Sequence, residues 1–543
     1  MSNAIFAIPE PKNEPICQYA PGTPEKKGLK DACAELRGKK FEIPLIIGGQ
    51  EIKTGNMGKC IIPHKHRHVL AHYHKAGAKE VEMAVAACLT ARKTWNGMAW
   101  YDRAAIVLKA AELLAGPFRN LLNAATMLAQ SKNCYQAEID AACELIDFFR
   151  FNAHYMHQIY QQQPLSLTGT WNRVENRPLE GFVLALTPFN FTSIAGNLVT
   201  APALMGNCVI WKPASTAVYS GYHLTRLFRK AGFPDGVINF LPGSGDELGD
   251  ILLNSPEFAG LHFTGSTFVF QSMWKTIGQN IANYKTYPRI VGETGGKDFI
   301  FAHKSADKKA LIAGLIRGAY EYQGQKCSAA SRAYIPRSLW KEMKDDFLAQ
   351  ISQLKMGDVE NFQNFVNAVI DSSSFTRCKK YIDAAKDSPD AEVIIGGNCN
   401  DEMGYFVEPT VILAKKPDYT SMVEEIFGPI LTIFVYPDDE YEKYLKICDE
   451  TTTYGLTGAI FAQEREAITK GSDCLWQTAG NFYINDKPTG AVVGQQPFGG
   501  GRVSGTNDKA GSYLNLIRWV SPRTIKEVFV PPKSYKYPFL QEE

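Results

Sequence analysis

Hydrophobic and polar positions alternate along the chain in two different ways. In the first third, apolar residues recur at helical spacing over 78–95 and again over 102–151, with breaks near Gly116 and Asn133. From Gly181 onward, short apolar runs alternate with amphipathic stretches. Because buried strands that alternate with helices assemble as parallel sheets, the pattern predicts a helical layer followed by a parallel sheet with helices on both faces.

A second series of strands and helices is predicted to begin near Arg289. RIVGETGGK and DFIFAH have the composition of strands, 306–322 has that of a helix, and SRAYIP has that of another strand. Near the C-terminus, 517–530 alternates weakly and predicts a strand that pairs with another strand. Parallel sheets bind ligands beyond the carboxyl ends of their strands, so candidate chemistry is expected at those ends.

Composition narrows the class of protein. The chain has 543 residues, 45% of them hydrophobic, which predicts several packed domains. A net charge of +2 favours neither nucleic acid nor an anionic membrane as a partner. The apolar stretch 181–211 is interrupted by prolines and asparagines, so no membrane span is expected. Without a recognisable signal sequence, the predicted location is the cytoplasm, or the mitochondrial matrix in a eukaryote.

One of the twelve cysteines has surroundings suited to chemistry. Cys327 lies in YQGQKCSAASR, where glycine, glutamine, lysine and serine replace the apolar neighbours of a typical buried cysteine. Lys326 puts a cation beside the thiol, and such surroundings can favour the thiolate that acts as a nucleophile. The other cysteines form no C-x-x-C pair and are predicted to be mostly buried thiols.

Three further segments supply parts that nucleophilic chemistry at a carbonyl requires. Asn190 in TPFNF follows a predicted strand, where its amide can stabilise an oxyanion. Glu293 in GETGGK can act as a general base. Glu425 in EEIFGP can accept hydrogen bonds from ribose hydroxyls. Each of these segments is ambiguous alone.

Taken in order, the motifs TPFNF, WKP, FTGST, GETGGK, GQKCSA, EEIFGP and QPFGG resemble the aldehyde dehydrogenase superfamily. They extend from Thr187 to Gly500, and the helical segment IDAACELIDFFRFNA before them is also similar to the family. The resemblance implies an α/β fold with a Rossmann-type NAD-binding domain, an α/β catalytic domain and a small β oligomerisation arm. It also implies NAD as the cofactor and no metal.

The resemblance also assigns roles to individual residues. Cys327 matches the nucleophile, Asn190 with the backbone N–H of Cys327 would hold the oxyanion, and Glu293 would activate water against a thioester. Phe270 departs from the family, where many members carry glycine. The positions implied to bind the cofactor are Thr187, Lys212, Gly265, Ser266, Thr267, Phe268, Val269, Glu425 and Phe427.

Within the family, KPTGAVVGQQPFGGGRVSGTNDKAG, GQKCSA and IDFFRFNA are similar to the pyrroline-5-carboxylate dehydrogenase branch. This likeness implies oxidation of L-glutamate γ-semialdehyde to L-glutamate in proline catabolism, functional coupling to a proline dehydrogenase, and a homodimer or a multiple of dimers. Ala491 stands where some members have serine. The residues implied to bind the substrate are Ser328, Gly490, Ala491, Phe191 and Phe498.

The expected domain organisation follows from these patterns and motifs. It comprises a loosely attached N-terminal arm over 1–40, an NAD-binding domain with its helical layer over 41–165 and 187–292, a catalytic domain over 293–487, a substrate anchor loop over 488–511, and an oligomerisation arm over 166–186 and 512–543.

Other interpretations of the same residues stay open. A dehydrogenase of another small carboxylated aldehyde would use the same groups. A cysteine-dependent acyl transferase would also use Cys327 but would normally need a histidine base, which the Cys327 segment lacks. A catalytically silent binding protein of this fold is a third possibility. The histidines between His64 and His74 are expected in an exposed hairpin rather than in a metal site.

Overall fold

Two sheets of seven strands each form the framework in the computed structural model of the protein, which describes residues 4–542. Helices from the same parts of the chain accompany each sheet, so the predicted α/β fold is confirmed. None of the helices within residues 4–542 is both long and apolar enough to cross a membrane.

The first sheet is parallel except where the N-terminal strands join it. Leu45–Ile47 pairs antiparallel with Ile238–Phe240 and with Gln50–Ile52. In spatial order its strands are Arg289–Glu293, Phe258–Thr264, Phe182–Thr187, Cys208–Pro213, Ile238–Phe240, Leu45–Ile47 and Gln50–Ile52.

The strand Arg289–Glu293 corrects one prediction from the sequence. It pairs in parallel with Phe258–Thr264 at the edge of the first sheet, so the second α/β series begins at Asp298 and not near Arg289. The pattern of apolar runs identifies a strand but does not identify the strand beside it, because pairing is decided by contacts distant in sequence.

The predicted helical layer is confirmed. Gly116 ends one helix, and Asn133 begins a short one, Cys134–Ala137, by accepting a hydrogen bond from Gln136 N at 2.9 Å. A seven-residue π-helix, Glu138–Glu144, follows directly. The longer helices of this half are Ala78–Trp95, Trp100–Ala115, Arg119–Gln130, Leu145–Gln161, Thr192–Leu204, Val218–Ala231, Gly245–Leu253 and Thr267–Gln279.

The second sheet repeats the parallel arrangement, with one antiparallel strand at its edge. The helix predicted over 306–322 is confirmed as Lys308–Tyr320. Four more helices of this half are Arg337–Ser352, Ser372–Lys386, Tyr441–Glu450 and Arg465–Cys474. The strands in spatial order are Ala391–Ile395, Thr410–Ala414, Ile430–Tyr436, Ala330–Pro336, Asp298–Ala302, Thr457–Phe461 and Asn481–Ile484.

Two long strands stand apart from both sheets. Thr170–Pro178 pairs antiparallel with Val520–Val528 along its whole length, which confirms the pairing predicted for 517–530. The predicted arm range 166–186 also overlaps Phe182–Thr187, a central and fully buried strand of the first sheet. The part of that range that pairs with the C-terminal strand therefore ends at Pro178.

The N-terminal region is attached more firmly than its composition predicts. It contains the helix Pro24–Gly38, in which Leu29 and Cys33 are fully buried. Cys33 Sγ lies 3.9 Å from the sulfur of Met127 in the helical layer. The expectation of a loosely attached arm over 1–40 is therefore wrong for this helix, because its apolar face belongs to the core.

The histidine-rich segment forms the predicted hairpin from Met57–Ile62 and Lys65–His74. It is not uniformly exposed, because the side chains of His64 and His74 are buried. His64 Nδ1 lies 2.7 Å from Ser131 Oγ, and His64 Nε2 lies 3.3 Å from Asp358 Oδ1. These contacts give His64 a structural environment within the core.

Candidate active site

The candidate nucleophile Cys327 lies in a tight turn between the helix Lys308–Tyr320 and the strand Ala330–Pro336. Tyr322, Gln323 and Gly324 have left-handed backbone conformations, with φ of 51°, 55° and 63°. A Cβ atom at Gly324 would lie 2.2 Å from the Gly428 carbonyl oxygen, so only glycine fits there. Strained backbone of this kind is concentrated at functional sites.

Side-chain amides hold this turn against neighbouring loops. Gln323 Nε2 donates to the carbonyl oxygens of Ser131 at 2.9 Å and Ala368 at 2.8 Å. Gln323 Oε1 accepts from Asn367 N at 3.0 Å, and Gln325 Oε1 accepts from Ile370 N at 2.9 Å. The position of Cys327 is therefore defined by tertiary hydrogen bonds on the preceding residues.

The resting thiol is protonated rather than ionised. Burial raises the pKa of Cys327 well above its ordinary value, and the carboxyls of Asp298 and Glu293 raise it further. Lys326 is not among the groups with the largest effect on this pKa, and its Nζ pairs with Glu321 Oε2 at 3.0 Å. The expectation that Lys326 favours the thiolate is therefore wrong for this resting state.

The candidate oxyanion donor Asn190 lies three residues after the strand Phe182–Thr187, as predicted. Its side chain is buried, and Nδ2 donates to the Gln325 carbonyl oxygen at 3.1 Å. This hydrogen bond brings the amide to the turn that carries Cys327. An amide nitrogen has two hydrogens, so the second can be donated to another acceptor.

The candidate base Glu293 is the last residue of its strand. Its carboxylate Oε2 accepts from Gly500 N at 3.3 Å, and burial raises the pKa of the carboxyl well above its ordinary value. The positive charge of Lys509 and the Gly500 N–H act in the opposite direction. Burial therefore favours the neutral form of the Glu293 carboxyl, and the carboxylate forms as the pH rises.

A cavity of about 360 Å³ contains two of these groups together with the predicted substrate residues. Cys327 and Glu293 line it. Asn190 is not among the lining residues, but its hydrogen bond to the Gln325 carbonyl oxygen holds it to the residues just before Cys327. Ser328 Oγ lies 2.8 Å from Thr489 Oγ1. Thr489 lines the cavity and belongs to the predicted anchor loop, but it was not among the predicted substrate residues. The predicted substrate residues that line the cavity are Ser328, Gly490, Ala491, Phe191 and Phe498.

The cavity also has charged groups that the sequence did not reveal as site residues. Glu144 is half-buried, burial raises its pKa to about 8, and Ser193 Oγ donates to Glu144 Oε2 at 2.8 Å. Asp147 has its pKa raised to about 6 by burial. These carboxyls follow Cys143 in a helical pattern that resembles an ordinary core helix, so no sequence signal separated them from packing residues. The basic residues that line the same cavity are Arg317, Lys326 and Lys487.

An N-terminal segment closes one side of the cavity. Asn13 Nδ2 donates to Asp147 Oδ2 and to the Val493 carbonyl oxygen, each at 2.8 Å. Asn13 Oδ1 accepts from Gln495 Nε2 at 2.9 Å. These three bonds connect the helix Leu145–Gln161 to the predicted substrate anchor loop. The N-terminal residues that line the cavity are Asn13, Glu14 and Ile16.

The predicted ribose-binding residues lie at other strand and loop ends. Lys212 is the penultimate residue of the strand Cys208–Pro213, and burial lowers its pKa while Asp246 opposes that shift. Glu425 Oε1 accepts from Gly296 N at 2.9 Å. Phe427 has a left-handed φ of 61°, and its ring lies edge-on to Phe189 at 5.8 Å between centroids.

The predicted pyrophosphate-binding turn opens the helix Thr267–Gln279. Gly265 and Ser266 precede it, Ser266 forms no side-chain cap, and the first-turn side chains Phe268 and Val269 are exposed. Uncapped N–H groups at a helix start suit an anion. Phe270 points away from this end into the core, where it stacks on Phe263 at 5.3 Å, so its replacement of glycine leaves the turn open.

Thr187 and Thr267 have partners within the protein. Thr187 Oγ1 accepts from Trp211 Nε1 at 2.9 Å, and its carbonyl oxygen accepts from Ala214 N. Thr267 Oγ1 accepts from Gly295 N at 3.1 Å, which connects the helix start to the GETGGK turn. Both side chains therefore fix the loops around the candidate cofactor residues.

Comparisons with known proteins cover nearly the whole chain. The model of the "Aldehyde dehydrogenase family" matches residues 52–523. The chain is 54% identical over 536 residues to "Delta-1-pyrroline-5-carboxylate dehydrogenase, mitochondrial" of Dictyostelium discoideum, with 98% of this chain and 96% of the relative covered. The Homo sapiens protein of that name is 47% identical over 530 residues, with 97% and 94% covered.

Solved structures agree with this similarity. The crystal structure of "the Delta-pyrroline-5-carboxylate dehydrogenase from Mycobacterium tuberculosis bound with NAD" matches with a TM-score of 0.97 at 49% identity. The match covers 100% of both chains. The similarity therefore extends over the entire fold.

Proposed function

The chain belongs to the aldehyde dehydrogenase family, and on this basis we propose that it oxidises L-glutamate γ-semialdehyde to L-glutamate with NAD. The observation that carries the proposal is one cavity that holds a thiol and a carboxyl together with groups suited to a charged substrate. The relatives named above support the choice of substrate and cofactor.

The first step takes place at Cys327. After the thiol loses its proton, the sulfur adds to the aldehyde carbon, and the carbonyl oxygen of the resulting thiohemiacetal carries negative charge. Asn190 can donate its second amide hydrogen to that oxygen, because its first is held by Gln325 beside the nucleophile. The hydrogen bond is strongest when the charge develops, so it accelerates the addition.

The described residues fit NAD. When bound, NAD accepts the hydride that leaves the substrate carbon. The free N–H groups of 267–269 would hold the pyrophosphate, and Lys212 and Glu425 would contact the riboses, with Phe427 beside the nicotinamide ribose. Glu425 accepts from Gly296 N through Oε1. Within residues 4–542 no hydrogen bond to Glu425 Oε2 is present, so this oxygen is available to accept from a ribose hydroxyl.

Glu293 would complete the reaction by activating water. Loss of the hydride leaves an acyl group on Cys327 as a thioester, and attack by water releases the carboxylic acid and restores the thiol. The Glu293 carboxylate can remove a proton from that water. Because burial raises the pKa of Glu293, the carboxyl must lose its proton before this step. The positive charge of Lys509 and the hydrogen bond from Gly500 N favour the ionised form.

Charges in the cavity suit a substrate with both a carboxylate and an ammonium group. Ser328 Oγ and the backbone N–H groups of Gly490 and Ala491 would hold the α-carboxylate, as predicted from the resemblance. Glu144 would complement the α-ammonium group, because an adjacent cation offsets the burial that raises its pKa. A short uncharged aldehyde would leave these groups without partners.

A panel of aldehydes with NAD and with NADP tests the proposal. We expect kcat/KM for glutamate semialdehyde with NAD to exceed that for propanal at least about a hundredfold, because competitors leave buried polar groups unpaired. The variant Ser328→Ala should reduce kcat/KM for the semialdehyde and leave that for propanal unchanged. Equal turnover of propanal, or activity without a nicotinamide cofactor, would overturn the proposal in favour of another aldehyde or an acyl transfer.

Assembly and cellular setting are further parts of the proposal. The pair of exposed strands suits an arm that joins two copies into a homodimer or a multiple of dimers. An enzyme that oxidises proline would supply the substrate, which implies functional coupling to a proline dehydrogenase. The relatives named mitochondrial support the mitochondrial matrix if the source is a eukaryote.

A further inference from the structure

Lys132 is a fully buried charged residue that the proposed reaction does not use directly. Its side chain is 1% exposed, and Nζ lies 2.6 Å from Asp140 Oδ2. Burial lowers the pKa of the Lys132 ammonium, while the Asp140 carboxylate opposes that shift. The charge of Lys132 therefore depends on its pairing with Asp140.

Two aromatic rings enclose this ammonium. Lys132 Nζ lies 4.0 Å from the centroid of the Phe191 ring and 4.5 Å from that of the Tyr322 ring. Attraction between a cation and an aromatic ring is strongest away from water. Phe191 directly follows Asn190, and Tyr322 is the first left-handed residue of the turn that leads to Cys327. One cation thus contacts both loops on which the chemistry depends.

The partner Asp140 anchors the same arrangement. Its carboxylate accepts from the backbone nitrogens of Thr192 at 3.1 Å and Ser193 at 2.8 Å, at the start of the helix Thr192–Leu204. Asp140 lies within the π-helix Glu138–Glu144, an irregularity that is frequent at functional sites. The ion pair therefore holds the loop of Asn190 from its backbone and from its aromatic ring.

Stability alone does not account for this buried pair. Removing two charges from water is costly, and replacing a buried ion pair by apolar residues is often neutral or stabilising. Besides balancing the charge of Asp140, the cation attracts the two rings, whereas an apolar side chain would pack against them without electrostatic attraction.

We propose that Lys132 is a positioning residue that aligns the oxyanion donor Asn190 with the nucleophile Cys327 by binding the rings of Phe191 and Tyr322 at once. The inference rests on the proposed function, since it assigns Lys132 to the same oxidation. Lys132 touches neither reacting atom, so its effect is exerted through the geometry of the two loops.

The variants Lys132→Met and Lys132→Met/Asp140→Asn separate positioning from stability. The single variant leaves Asp140 buried without its partner and should lower the melting temperature. The double variant removes both charges and keeps one of the two side-chain oxygens that accept at the helix start, so the melting temperature should recover most of the loss. Lys416→Met removes a surface ion pair with Asp390 and serves as the matched control.

Pre-steady-state kinetics at saturating aldehyde supply the decisive measurement. We expect the rate constant of the first NADH burst to fall at least about tenfold in both Lys132 variants, because a misaligned oxyanion donor forfeits much of its effect. The dissociation constant of NAD should stay within about twofold of wild type, because no cofactor contact changes. Lys416→Met should change neither quantity.

Recovery of the burst rate together with the melting temperature in the double variant would overturn the inference, since a merely structural role predicts that result. The measurement uses whichever aldehyde the wild-type enzyme oxidises fastest. Failure of glutamate semialdehyde as a substrate would therefore reject the proposed function while the role of Lys132 is still tested.

Discussion

At the scale of single residues, the proposed chemistry at Cys327 depends on how a half-buried thiol becomes an anion. Burial and the neighbouring carboxyls raise its pKa, and Lys326 is already paired with Glu321. The resting protein therefore holds the proposed nucleophile in its protonated form. Reactivity must increase with pH as the thiolate forms, because the thiolate is the species that attacks.

The variant Cys327→Ser should lose at least about a thousandfold in kcat, because removal of a nucleophile eliminates the covalent route. Its melting temperature and its affinity for NAD should stay close to wild type, since serine is nearly isosteric. Steady-state NADH formation measures the loss, and fluorescence titration measures NAD binding. Alanine in place of Cys399, a half-buried residue in the short strand Cys399–Asn400, is the control. Substantial activity in Cys327→Ser would reject the nucleophile.

The variant Glu293→Gln should separate the two halves of the reaction. Loss of the general base should reduce the steady-state rate about a hundredfold or more, while the initial NADH burst is retained. Because the pKa of Glu293 is raised by burial, wild-type steady turnover should increase as the pH rises through that pKa. Stopped-flow profiles against pH check both statements, and normal steady turnover of the variant would assign the base elsewhere.

At the scale of elements, the cavity is assembled from segments distant in sequence. The predicted anchor loop, 488–511, contains the lining residues Gly490 and Ala491, and Asn13 of the N-terminal segment is hydrogen-bonded to this loop. Asp147, in the helix Leu145–Gln161, accepts from Asn13 Nδ2 and from Glu14 N. A segment that begins as an extended chain thereby completes the wall of the cavity.

Replacing Asn13 by alanine should make the predicted anchor loop less ordered and leave the position of Cys327 unchanged. We expect KM for glutamate semialdehyde to rise about three- to tenfold with kcat nearly unchanged, because hydrogen bonds that order the loop are lost. Steady-state kinetics measure the split between KM and kcat. Gln18→Ala, which removes a local contact to the Ile16 carbonyl, is the matched control. An equal fall in kcat would contradict the expected positioning effect.

At the scale of the whole molecule, the candidate site residues lie on the two seven-stranded sheets and their loops, and the separate pair of strands contributes none of them. The carboxyl ends of first-sheet strands carry Lys212 and Glu293, and Asn190 follows another, while the second half contributes Cys327 and Glu425. The candidate site therefore contains residues from both halves. The paired strands Thr170–Pro178 and Val520–Val528 carry exposed apolar side chains that have no part in the proposed reaction.

The double variant Trp171→Asp/Val528→Asp should weaken association between copies. Both side chains are exposed on the paired strands, at 51% and 38%, and buried charges at an interface oppose association. Sedimentation velocity of the wild type should give a mass of at least twice that of one 60.2 kDa chain. The variant should shift toward one chain, whereas Lys341→Asp should not. A wild-type monomer would reject the arm.

Features that depend on short segments of the chain could be predicted from the sequence, and features that depend on contacts between distant segments could not. Helices such as Ala78–Trp95 and the chemical types of Cys327, Asn190 and Glu293 follow from local patterns and motifs, because periodicity and residue type are properties of short segments. The partner of the strand Arg289–Glu293 and the burial of the N-terminal helix did not follow, because both are contacts between distant segments.

The same distinction applies within the site. The sequence by itself determined the fold class, the family and the side chains capable of nucleophilic, basic and oxyanion-stabilising chemistry. Tertiary structure alone decided which charged groups surround those side chains. It paired Lys326 with Glu321, placed Glu144 at the cavity and placed Lys132 between two aromatic rings. Charge and pKa depend on solvent exclusion and on neighbours in space, which no local pattern of residues specifies.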